Sequence, residues 1–353
     1  MKRFMGAGGF SLGLVFLLCV GAAGAEEPID RLVDSLSVGQ AVRYESLTVL
    51  PVYSRLAGSD LGYAGLEEAL AKGWLEIQEV EGGRVPQVRV RNTSDRIIFI
   101  MGGEILAGCK QDRLVGRDAL VPPKARNLLL PVYCVEEGRW QAHSANFFSK
   151  QNLGTPKLRA KAQEASPEAQ YKIWDEVART SERAGVSSGT GAYQDLYEDK
   201  DLKERLSAAQ MQMGQLPSLY EDALGVVIGV GGRIVSVDIF AGPELFRALY
   251  PKILKASALS ALTSPDAASL SQEQAAAFLR SLRGRTLERK EGLGLGAELS
   301  WTGADLCLSA LAVKDRVVHL AAFPQEGAAV GYKPWDGQER RLPVADSRSL
   351  LRE

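Results

Sequence analysis

Apolar and polar positions alternate along much of residues 42–140, and a period of two predicts β-structure. Residues 44–53 read as a strand. Residues 66–72 read as a short helix stopped by Gly73. Residues 74–80 and 85–91 alternate strictly, and between them Gly82 and Gly83 can take the positive φ that a tight hairpin needs. A second turn at residues 92–95 precedes Ile-Ile-Phe-Ile-Met at 97–101. That run does not alternate, which predicts a strand buried on both faces. Further strands are expected at 112–121 and 126–135, separated by Pro122 and Pro123.

The period becomes helical from about residue 156. Tyr171, Trp174, Val177 and Ala178 fall on one helix face, and Leu202, Leu206, Ala209 and Met213 on the next. A flexible loop at 185–191 separates them. Strand patterning returns at 226–230 and 234–240, a hairpin around Gly231 and Gly232. Pro243 opens a helix towards Leu262 with a break expected at Pro251, and Ser271 with Gln274 forms a capping box for a helix ending near Arg283. Residues 306–313 and 317–323 form a third hairpin. The expected class is α+β: an antiparallel β-rich sandwich or rolled sheet at 42–150, an inserted helical segment at 151–215, and a hairpin-helix-hairpin portion at 216–325. A polar tail occupies 331–353.

The first 25 residues change the picture of location. Lys2 and Arg3 precede an apolar run at 10–20 that is short for a membrane span, and Ala23-Gly24-Ala25 supplies the small residues of a cleavage site. The expectation is a signal peptide and an exported chain, periplasmic or extracellular, with no membrane span once the leader is gone. The formal charge is −1, about −3 without Lys2 and Arg3, and no long basic run occurs, which argues against a nucleic-acid partner. Hydrophobic content of 46% and charged content of 24% are those of an ordinary globular protein. Cys109, Cys134 and Cys307 follow the leader. An oxidising compartment permits one disulfide, for which Cys109 and Cys134 are the nearer pair; three buried, unreactive thiols are the alternative.

Candidate chemistry is sparse elsewhere. Gly229, Gly231 and Gly232 lack the third glycine and following helix of a dinucleotide site. The two histidines, His143 and His319, are far apart, no Cys-x-x-Cys or His-Glu-x-x-His occurs, and neither a metal nor a cofactor is expected. Gly-x-Ser-x-Gly is absent, and nothing in the sequence brings Cys134 to His143 as a nucleophile pair. The densest polar chemistry lies at Gly102–Arg113 and Pro131–Trp140. Glu104, Lys110, Gln111, Arg113, Glu136 and Arg139 are read as a polar pocket for a small polar or anionic ligand, with Trp140 as a stacking face. The competing reading is a salt bridge from Glu104 to Arg113 or Arg139 that ties strands together. The leading functional expectation is a non-catalytic binding or accessory module. The alternatives are a hydrolase of a glycosidic or ester bond that pairs Glu104 with Glu136, and a structural or partner-binding envelope protein.

These two segments, with Val121-Pro122-Pro123 between them, resemble the signature of the ADP-ribosylglycohydrolase (ARG) and rhodanese-phosphatase-superfamily-associated protein domain, an uncharacterised prokaryotic family. The hairpin at 231–240 and the helix bearing Trp174 extend the resemblance over roughly residues 42–262. Cys109 departs from the family pattern, where a small residue is expected. The family's name implies genomic company with nucleotide-derived or ADP-ribose-like ligands, an implication the leader weakens.

Overall fold

The protein is described by a computed structural model over residues 27–56, 61–80, 86–139, 141–164, 166, 168–264 and 268–325. The leader, the Gly82-Gly83 turn, Trp140 and the tail at 331–353 lie outside the described residues.

The class is α+β with mostly antiparallel sheets. The largest sheet runs Leu36–Val38, Leu47–Ser54, Gly225–Val230, Arg233–Phe240, Arg316–Pro324, Leu306–Val313, Ala297–Thr302 and Glu288–Glu291, with Val42–Tyr44 paired to Leu47–Ser54. Alternation explains why it is buried on both sides. Leu47, Val49, Val226 and Ile228 face a core shared with the helix Pro243–Leu262. Leu50, Val52, Val227 and Val237 face the opposite core, closed by Pro28–Ser35 and Gln272–Ser281.

A second sheet orders Phe147–Leu153, Glu104–Gly108, Arg113–Val115, Leu128–Cys134, Gln87–Asn92 and Leu75–Glu79. A third joins Ala119–Val121 to Ile98–Ile100, and carries parallel pairings of Ala119 with Leu293 and Ala64 with Ile98. The chain therefore interleaves its early and late strands, as Val52 opposite Gly225 also shows.

Local signals produced several of these elements. Ile98–Ile100 is wholly buried. Gly73 ends the helix Leu66–Ala71 at φ 65°. Ser271 accepts from the Gln274 backbone while the Gln274 side chain accepts from the Ser271 N–H, a complete capping box. The expected break at Pro251 is absent: Pro243–Leu262 is one helix with Pro251 inside it. Burial of Leu249, Tyr250, Ile253 and Leu254 on both sides of the proline holds the helix through it. Residues 112–121 form two strands, Arg113–Val115 and Ala119–Val121, because Gly116 interrupts the run where a side chain would meet the Pro131 carbonyl. Among the described residues no helix is long and apolar enough to cross a membrane.

Candidate functional site

The two signature segments meet at Gln111, Asp112, Glu136 and Arg139, which are buried there, while Glu104 lies apart from them. Glu104 is 1% exposed; its carboxylate takes the Met101 N–H at 2.8 Å and pairs with Lys252, which also reaches Glu67 at 2.7 Å. Burial pushes the Glu104 carboxyl up to about 7 despite Lys252. Glu136 belongs elsewhere. Arg139 donates to it through Nε at 2.7 Å, to Asp112 at 3.1 Å and to the Cys109 carbonyl at 2.7 Å. Thr190 donates to Glu136 at 3.0 Å, and the Gln111 side chain donates to the Glu136 carbonyl at 2.8 Å. Burial works against the Glu136 anion, but hydrogen bonds from Arg139, the Asp112 N–H and Thr190, with the Arg139 charge, together outweigh it and the pKa falls. Arg113 is buried against Gln111, with Glu79 at 3.8 Å. Lys110 is half-buried, and its N–H donates to Glu79. Apart from the half-buried Lys110, these groups form buried strand-tying networks; neither pairs Glu104 with Arg113 or Arg139. Cys109, Cys134 and Cys307 are buried and unpaired, and burial raises all three thiols, Cys109 to about 11 and Cys307 to about 12.

A different constellation borders open space. In the large sheet, Phe240 lies opposite His319, His319 opposite Leu311, Leu311 opposite Glu298, and Glu298 opposite Lys290. Direct partners share a face, so this row runs across one side of the sheet. The neighbouring row, Glu288, Ser300 and Ser309, lies on the same side. The helix Pro156–Gln163 covers part of this face, and the remainder forms the floor of a cleft of about 450 Å³. Residues 116–118 with Pro131 and Tyr133 make its far wall.

Beneath the cleft lies a closed ring of hydrogen bonds. The Gly102 N–H donates to Asp118 Oδ1 at 2.7 Å. Asp118 Oδ2 faces His319 Nδ1 at 2.7 Å, and His319 Nε2 faces Asp238 Oδ1 at 3.2 Å. Arg159 grips both Asp238 oxygens at 2.6 and 3.0 Å, and its Nε returns to the Gly102 carbonyl at 3.3 Å. With a carboxylate oxygen at each nitrogen, His319 is an imidazolium donating twice. Burial opposes that charge, but Asp118 and Asp238 outweigh it and raise the pKa to about 9. Burial also opposes the Asp238 anion, which Arg159 and His319 nevertheless hold well below the usual carboxylate range. His319 stacks on Phe240 at 4.4 Å, which fixes the ring plane.

Gly102 and Gly103 make the ring possible. A side chain at Gly102 would press on the Arg117–Asp118 backbone, and one at Gly103, where φ is 99°, would collide with Arg159. The close approach these glycines allow is thus that of Asp118 and Arg159. Asp118 and Gly102 are the ring members that line the cleft, the Asp118 side chain 12% exposed. Beside it, Arg117 donates to Glu298 at 2.6 Å, and burial raises the Glu298 carboxyl. The sequence reading missed Asp118, Arg159, Asp238, His319 and Glu298. The available signals were Asp238 flanked by the apolar Val237, Ile239 and Phe240, and the alternation of Glu298, Ser300 and Thr302 with Leu299 and Trp301. Among the described residues no cluster of three or more His, Cys, Asp or Glu side chains is arranged to hold a metal ion.

Comparison with known proteins adds one relation. No curated protein and no solved structure matches the chain. The family described as ARG and Rhodanese-Phosphatase-superfamily-associated Protein domain matches residues 35–323, from the first strand of the large sheet to the strand that carries His319. The chain belongs to that family.

Proposed function

We propose that the protein is an exported, non-catalytic binding module that takes a small polar ligand in the cleft above the Asp118–His319 ring. The leader pattern of Lys2, Arg3, the apolar run and Ala23-Gly24-Ala25 supports export. One observation carries the binding reading: a carboxylate oriented from below by a backbone N–H and an imidazolium stands at the wall of an open cleft of about 450 Å³, a size typical of small-molecule sites. Asp118 is preorganised, so a ligand that hydrogen-bonds to it pays little ordering cost. The hydrolase alternative finds no support at Glu104 and Glu136, which are buried in separate networks.

The test is a thermal-shift screen of polar small molecules against the wild type, Ser300→Trp, which fills the cleft, and Glu136→Gln, which alters the signature network. Compounds that stabilise the wild type are expected to lose their effect in Ser300→Trp and keep it in Glu136→Gln. Retention in Ser300→Trp with loss in Glu136→Gln would return the site to the signature segments.

A further inference from the structure

We infer that the ligand of this cleft is a neutral, polyhydroxylated ring compound of the saccharide type. This rests on the cleft being the binding site and names what it binds. The observation is that the cleft is rich in charge yet each of its carboxylates is already matched. Arg117 donates to Glu298 at 2.6 Å, Lys290 lies 3.0 Å from Glu288, and Lys172 donates to Glu164 at 2.6 Å. Asp118 faces the His319 imidazolium. A ligand anion entering here meets four lining carboxylates, and a ligand cation must compete with Arg117, Lys290 and His319 for partners they already hold. Either would compete with the partly buried Arg117–Glu298 and Asp118–His319 pairs, where the cost is substantial, unlike at the exposed Lys290–Glu288 pair.

A neutral polyol displaces nothing. Each carboxylate has about four acceptor sites and a guanidinium five donors, so the paired groups that line the cleft keep hydrogen-bonding capacity beyond their pairings. Hydroxyl groups of a ligand both donate and accept, and so suit a wall where acceptors and donors alternate. Ser300, Thr302 and Ser309 add groups of the same dual character. The far wall also carries an apolar patch, Pro131 and Tyr133, beside Arg117 and Asp118. A sugar ring presents this combination, with C–H faces for the apolar patch and hydroxyl edges for the charged and hydroxyl groups around it.

The experiment is saturation-transfer NMR and titration with glucose, galactose, N-acetylglucosamine and cellobiose, alongside citrate and spermidine. The proteins are the wild type, Ser300→Trp and Glu298→Gln, each checked for an unchanged circular dichroism spectrum. At least one sugar is expected to bind with an affinity unchanged between about 0.05 and 0.5 M salt, because a neutral ligand feels no ionic screening. The affinity is expected to fall at least about tenfold in Ser300→Trp, and severalfold in Glu298→Gln, which keeps the shape but loses the anion. Failure of every sugar to bind overturns the inference. Citrate or spermidine binding that Ser300→Trp abolishes, without sugar binding, overturns the ligand class and leaves the cleft as the site. Binding that Ser300→Trp leaves unchanged removes the cleft as well.

Discussion

His319 holds a positive charge between two carboxylates in a place that water does not reach, and this sets how the fold responds to pH. Its pKa is raised from 6.5 to about 9, so the folded chain binds the proton more tightly than the unfolded chain does. The resulting stability is fully present below pH 6.5 and is lost as pH rises through about 9. Asp238 works in the opposite sense: with its pKa depressed below 3.8, its contribution is present above that value and lost as pH falls. Urea midpoints measured across pH are therefore expected to decline between about pH 6.5 and 9 in the wild type, with most of that decline missing in His319→Gln. A wild-type slope that His319→Gln reproduces would contradict the imidazolium assignment. Arg159→Met leaves Asp238 buried without its guanidinium and is expected to cost about 3–5 kcal/mol by chemical denaturation.

The elements are fastened to one another by these buried charges, and each fastening fails in a recognisable way. Lys252 ties the helix Pro243–Leu262 to Glu104 on the strand Glu104–Gly108 and to Glu67 on the helix Leu66–Ala71. Lys252→Met leaves Glu104 unpaired. Burial already raises that carboxyl to about 7, so it is protonated more easily in the folded chain than in the unfolded one. The loss of stability in Lys252→Met is expected to be largest above pH 7 and to shrink towards pH 4.5, where Glu104 is protonated in the folded chain with or without the lysine. An equal loss at both ends of that range would show that the lysine matters only for packing. The turn at Gly102 and Gly103 is the second fastening. Gly103→Ala forces a side chain into Arg159 at a positive φ and is expected to destabilise by about 1–3 kcal/mol, read from the urea midpoint.

Across the whole molecule, what the sequence disclosed depended on distance along the chain. The buried strand at Ile98–Ile100, the stop at Gly73 and the capping box at Ser271 are set by neighbours a few positions apart, and all are legible. The hairpins are legible for the same reason, since Gly231 and Gly232 join directly paired strands. The ring under the cleft is not local: Asp118 and His319 are 201 positions apart, and Arg159 and Asp238 are 79 apart. Only the pairing of Arg233–Phe240 with Arg316–Pro324 brings Asp238 beside His319. Dense polar sequence at Glu104–Arg113 and Glu136–Arg139 pointed to a pocket because the composition of a strand-tying network and of a binding site is the same; burial alone separates them. The recognisable signature thus supplies much of the internal frame and, through Pro131 and Tyr133, part of the cleft wall, while the rest of the cleft is assembled from residues with no shared motif.

Hydrogen–deuterium exchange on the protein saturated with its most stabilising ligand tests this division most directly. Ligand binding is expected to slow exchange at residues 116–118, 131–133 and 297–309, which line the cleft, and to leave 104–113 and 134–139 as they are without ligand. Slowed exchange confined to 104–113 and 134–139, with the cleft strands unchanged, would contradict the account.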